Sequence, residues 1–209
     1  MSIKEKVVEY LKNKYNPNAI IIFGSYSDGS FDKSSDIDGL VIADDISEHD
    51  SSIIDGIILD IWIYPTLYFK EDYVLDHNIL KIFDGDIVLD EKGLAIKLKK
   101  RVIDYINKMV PKTNDEIQEE LLWCEKLYHR VERLDAEGYY RWHRLLTESV
   151  KIYCDIKHIY YYGPKKILLF MKNNDNEAFQ LYNKVLKELN ISYLREWIDY
   201  LNKLHFHNK

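Results

Sequence analysis

Apolar positions along the chain follow two rhythms, and the change between them falls near residue 90. The opening SIKEKVVEYLKNKY places Ile3, Val7, Tyr10, Leu11 and Tyr15 on one helical face. Asn-Pro-Asn then ends the helix, because proline restricts the residue before it and lacks the N–H that would continue the ladder. AIIIF (19–23) is short, bounded by breakers and rich in β-branched residues, which predicts a buried strand. DGLVIA (38–43) predicts a second strand and GIILDIWIY (56–64) a third, stopped by Pro65. A helix is expected over 68–80, and DIVLD (86–90) reads as a short last strand or a turn.

Beyond Asp90 the period becomes helical. Residues 91–108 form one such segment. A second, 114–134, aligns Ile117, Leu121, Cys124, Tyr128 and Val131. A third follows DAEGYY, carries Leu145, Ser149, Ile152, Tyr153 and Ile156, and stops at YYYGPKK. Two more cover roughly 174–190 and 192–205. The pattern predicts an α+β chain: a mixed β-sheet with flanking helices over residues 1–95, then a helical bundle domain over 96–209. No internal repeat or low-complexity tract interrupts it.

A chain of 209 residues can bury a core without disulfides. Its two cysteines, Cys124 and Cys154, fall in partly apolar helical segments and read as buried thiols. The start lacks the apolar region of a secretion signal, and no apolar run reaches the length of a membrane span, so a cytoplasmic protein with no membrane partner is expected. Charge refines the picture. The net −6 divides into 18 acidic against 7 basic side chains over residues 1–90, and 17 against 22 over 91–209. An acidic half suits metal cations, and a basic half suits an anion such as phosphate. No dense Lys/Arg stripe marks a duplex nucleic-acid groove.

The chemistry concentrates in IIFGSYSDGSFDKSSDIDGLVI (21–42) and in ILDIWIY (58–64). Alternate residues of a strand share a face, so Asp36 and Asp38 point the same way, and Asp60 shares a face with Ile58, Trp62 and Tyr64. If their strands are neighbours, three carboxylates converge. Such a cluster is unfavourable without a compensating cation, and magnesium prefers carboxylates together with substrate phosphates. Each aspartate alone is as easily a cap or a structural residue. Gly24 allows a tight turn and close approach to a ligand, and Ser25 offers a hydroxyl and a helix-start amide to terminal phosphates. Neither a P-loop nor a dinucleotide fingerprint is present.

Together these residues resemble the signature of the nucleotidyltransferase superfamily that includes DNA polymerase beta. Gly24-Ser25 match its first element, Asp36-Ile37-Asp38 its DxD, and Asp60 its third carboxylate. The wording is similar to small bacterial members, the minimal nucleotidyltransferases and enzymes modifying aminoglycosides or lincosamides. One departure is Gly39, where many members carry a branched or leucine residue, and it is expected to loosen local packing.

The resemblance implies a nucleotidyltransferase-like catalytic domain, a nucleoside triphosphate and two Mg2+ ions, with Asp36, Asp38 and Asp60 as metal ligands and catalytic residues. Gly24 and Ser25 would bind the nucleotide. The helical domain would supply the acceptor site. There Glu148 is a candidate general base or a salt-bridged surface residue, and Lys165 and Lys166, after the helix-ending YYYGP, are candidate phosphate ligands or an ordinary basic turn. Trp142, Tyr153, Tyr160, Tyr161 and Tyr162 could line a pocket, although with 17 tyrosines most are expected to pack. The histidines have no compact zinc-ligand spacing. The acceptor expected is a small hydroxylated molecule. A tRNA end or a protein is the alternative, and a non-catalytic antitoxin-like or nucleotide-binding partner protein is another. A homodimer would close a cleft left open by two small domains.

Overall fold

The computed structural model describes residues 1–69 and 73–207. It divides into two compact units, Met1–Met109 and Val110–Lys209. The first opens with α1 (Ile3–Tyr15), whose N-terminus carries a reciprocal cap: Glu5 N–H bonds the Ser2 hydroxyl and Ser2 N–H bonds the Glu5 carboxylate. Six strands follow, β1 (Ala19–Phe23), β2 (Ile37–Ala43), β3 (Glu48–Asp50), β4 (Ile53–Ile54), β5 (Ile57–Pro65) and β6 (Asp86–Asp90), with a one-turn helix α2 (Ser25–Asp28) after β1. They pair in the order β3-β5-β2-β1-β6, with β4 also on β5. Only β2 and β5 run parallel among these pairs.

All five residues of β1 are buried, because this interior strand is covered on both faces. On one face Val7, Leu11 and Tyr15 of α1 pack against Ile20, Ile22, Val41, Leu59 and Ile61. On the other, Ile79 of α3 (His77–Leu80), Ile82 of the following 3-10 turn (Lys81–Asp84) and Ala95, Leu98 and Val102 of α4 (Leu94–Asn107) cover Ile21, Leu40 and Ile42. This contact keeps α4 with the sheet, in the unit that ends at Met109. The helix expected over 68–80 is instead a 3-10 turn at Thr66–Phe69 and the short α3, and residues 70–72 within that span lie outside the described residues.

The second unit is entirely helical: α5 (Asn114–Val131), α6 (Ala136–Ile156), α7 (Pro164–Asn174), α8 (Asn176–Lys187) and α9 (Ile191–His207). Trp142, Tyr153 and Trp197 are at most 1% exposed in its core, so Trp142 and Tyr153 pack the bundle rather than line a pocket. Trp197 Nε1–H donates to Ser149 Oγ at 2.9 Å, and Tyr182 O–H to the Leu146 carbonyl at 2.8 Å, which satisfies these aromatics' polar atoms away from water. Cys124 and Cys154 are free and buried, and burial pushes each thiol up to about 12. No helix among the described residues is long and apolar enough to cross a membrane.

The edge strand β3 is too short to hold itself. Asp50, 3% exposed, ties it to α1. Its Oδ2 accepts Tyr15 O–H at 2.8 Å, Tyr10 O–H at 3.1 Å and Lys14 Nζ at 3.0 Å, and Oδ1 accepts Ser52 N–H at 2.9 Å. Burial alone would raise this carboxyl, but Ser52, Tyr15 and Lys14 more than offset it and hold it well below the usual range. A depressed carboxyl stabilises the fold above its unfolded value of 3.8, and that contribution fades as the pH falls further. Asp50→Asn should therefore cost about 1.5–3 kcal/mol in urea unfolding at pH 7, the range for hydrogen bonds to a charged group. The gap from wild type should narrow below pH 3.8.

Candidate active site

The parallel register of β2 on β5 sets Asp38 opposite Asp60. Paired residues of neighbouring strands share a face, so both carboxylates point to the side that carries α3 and the 3-10 turn Lys81–Asp84. Asp36, in the loop just before β2, completes the group. One ligand oxygen from each of the three lies within 4.8 Å of the others, and Asp36 is exposed while the other two are half-buried. Among the described residues this is the group of His, Cys, Asp and Glu side chains able to converge on one ion.

The electrostatics follow from that crowding. Burial, then the charges of Asp36 and Asp60, raise the Asp38 carboxyl from 3.8 to about 6, and the Lys81 charge acts the other way. Three carboxylates offering oxygen donors only, with weakened acidity at Asp38, are a donor set suited to a hard divalent cation. The backbone fits around it. Gly24 has φ +68°, and a Cβ there would fall 2.5 Å from Asp38 Oδ2. Only glycine lets the β1–α2 turn approach the carboxylate so closely. Ser25 opens α2, and the Ser27 and Asp28 amides bond back to the Gly24 carbonyl at 3.0 and 3.1 Å.

Residues 4–124 match the nucleotidyltransferase domain. The chain belongs to that family. It is a nucleotidyltransferase, and the family's substrate is a nucleoside triphosphate. A solved nucleotidyltransferase-like protein from Exiguobacterium sibiricum 255-15 is similar at 14% identity and a TM-score of 0.39, over 98% of this chain and 73% of that one. Comparison with curated proteins gives no match.

Gly39, expected to loosen this nucleotidyltransferase's sheet, does the reverse. A Cβ there would meet Ile61 Cδ1 at 2.7 Å and the Ile21 carbonyl at 3.1 Å, so neighbouring strands already fill the space. The candidates in the second unit are placed differently from the acidic group, which is built entirely from the first. Glu148 on α6 pairs with Lys151 at 3.1 Å and lines a groove of about 570 Å³ with Trp123, Arg144 and Glu120. α6 ends at Ile156, before the tyrosine run that precedes Lys165 and Lys166. They stand on the first turn of α7, behind Pro164 at its start, where two cations oppose the helix dipole.

Two residues beside the carboxylates escape sequence reading. Lys81 has only a lone charge in an irregular stretch as its signal. His49 lies in SEHDSS, a polar run with no period that announces a strand. In the structure its Nε2 is 2.7 Å from Asp60 Oδ1.

An acid whose folded pKa is raised stabilises the fold fully below its unfolded value and loses that contribution as pH climbs through the folded one. Metal-free protein should thus lose stability between pH 3.8 and about 6 on account of Asp38. At pH 8 without divalent cations, Asp38→Asn should be more stable than wild type by about 1–3 kcal/mol in denaturant melts. A divalent cation held by the three carboxylates should close that gap by stabilising wild type alone.

Proposed function

We propose that this nucleotidyltransferase moves a nucleoside monophosphate from a nucleoside triphosphate to a hydroxyl of a small molecule, in the class of aminoglycosides or lincosamides, with magnesium. The observation that carries the reading is the trio Asp36, Asp38 and Asp60, gathered within 4.8 Å beside a glycine turn. Asp36 and Asp38 would hold two magnesium ions, and Asp60 would complete the set on the acceptor side. Bound magnesium would neutralise triphosphate charge and lower the acceptor hydroxyl's pKa.

The chain's own residues then have placing roles. Gly24 gives the phosphates access to the backbone, and Ser25 offers its hydroxyl and amide to the terminal phosphates. The acceptor oxygen attacks the α-phosphorus in line, the bond to the bridging oxygen breaks, pyrophosphate leaves and the hydroxyl proton passes to solvent or a base. The sheet unit is the catalytic domain in this reading, and the helical unit supplies acceptor contacts. Glu148, held by Lys151 in an exposed pair, must release that partner to serve as a base. Lys165 and Lys166 would meet phosphate only as surface cations at a helix start.

The test supplies each of four α-labelled nucleoside triphosphates with Mg2+ and a panel of aminoglycosides, lincosamides, tRNA and proteins. Label should transfer to a small hydroxylated acceptor with one pyrophosphate released per transfer. Asp36→Asn and Asp60→Asn should each lower kcat about 10²–10³-fold, as loss of transition-state charge stabilisation does. Label on tRNA or protein would replace the small-molecule acceptor. Triphosphate binding without turnover on every acceptor would sink the catalytic reading in favour of a binding partner.

A further inference from the structure

Asp60 faces a physical difficulty. Its side chain is 32% exposed, and its nearest neighbours in the site are two like-charged carboxylates. Like charges at this range repel, so a half-buried carboxylate here gains from a further partner that fixes its rotamer. It is held by His49. Nε2 of that residue lies 2.7 Å from Asp60 Oδ1. A carboxylate accepts, so the hydrogen is on Nε2.

His49 is itself fixed. It stands directly opposite Trp62 in the antiparallel β3–β5 register, and its ring lies on the indole with centroids 4.6 Å apart and planes 30° from parallel. Period-two alternation divides the duties of β3. Asp50 and Glu48 turn to α1, where both accept the Tyr15 hydroxyl, and His49 turns to the opposite face beside Asp60.

We propose that His49 is a positioning residue for Asp60: by tying Oδ1 it orients the other oxygen toward the cation position shared with Asp36 and Asp38, and so sets the affinity of that position. The inference rests on the reading of the three aspartates as a cation site. A half-exposed His–Asp pair adds little to fold stability. Outer partners of metal ligands, by contrast, change metal affinity by about 10–100-fold when removed. The two effects therefore separate.

The experiment uses the full chain, stripped with chelator and free of nucleotide, titrated with Mn2+ and followed by the electron paramagnetic resonance of the free ion. His49→Ala should bind Mn2+ about 10-fold more weakly or worse, with its thermal midpoint nearly unchanged. His49→Gln, whose side-chain N–H can reach the same oxygen, should recover most of the affinity. If His49→Ala binds Mn2+ as wild type does, or if His49→Gln folds and stays as weak as His49→Ala, the positioning role is overturned while the cation site stands. If wild type binds no Mn2+ and Asp38→Asn changes nothing, the cation-site reading fails and takes this inference with it.

Discussion

Two aspartates placed opposite each other in a parallel register are the constraint on which the first unit depends. Asp38 and Asp60 occupy matched positions of β2 and β5, on a face otherwise given to apolar packing. Every neighbouring choice accommodates that repulsion. Leu40 and Ile42 continue the same face of β2 as core, so the strand cannot turn its carboxylate outward without moving them into water. A one-residue slip would exchange the two faces of the strand. The hydrophobic pattern thereby holds charges together that would separate if free, and the energy of hydrophobic burial is what keeps an unfavourable site assembled.

The surroundings limit how the repulsion can be relieved. The Gly24 turn comes within contact distance of Asp38, and Lys81 contributes a nearby positive charge. Neither removes the anionic excess. Burial raises the proton affinity of Asp38 without giving it a dedicated ion-pair partner. A cluster of this kind is destabilising as a piece of protein and useful as a cation receptor, the usual conflict between stability and function at a working site.

Much of this was legible in the residues. The strands Ala19–Phe23, Ile37–Ala43 and Ile57–Pro65 stand close to where β-branched runs and breakers place them, because burial on the sheet and local preference agree there. The facing of Asp38 and Asp60 followed from period-two alternation on their strands, whereas Asp36 joins them from the loop before β2 and not by alternation. Legibility failed where tertiary contacts decide. Glu48–Asp50 is a strand only because α1 and β5 grip it, and nothing in SEHDSS encodes that grip locally. Pro164–Asn174 was hidden by the tyrosine run before it, where proline marked a helix start rather than a stop. Gly39 was misjudged because a missing side chain reads as a gap, although Ile61 of the next strand already occupies the volume.

The family-matched segment and the folded units do not share an edge. The match runs to residue 124, whereas the compact units meet at Met109 and Val110. The region between them is mostly the first half of α5, whose Ile117, Leu121 and Cys124 are buried in the helical core. A fragment trimmed to the matched segment would carry a severed helix with an apolar stripe facing solvent, and would be prone to self-association. One ending at Met109 would keep every strand among the described residues and all three aspartates. The family-matched module and the compact folded unit are therefore different lengths of this chain.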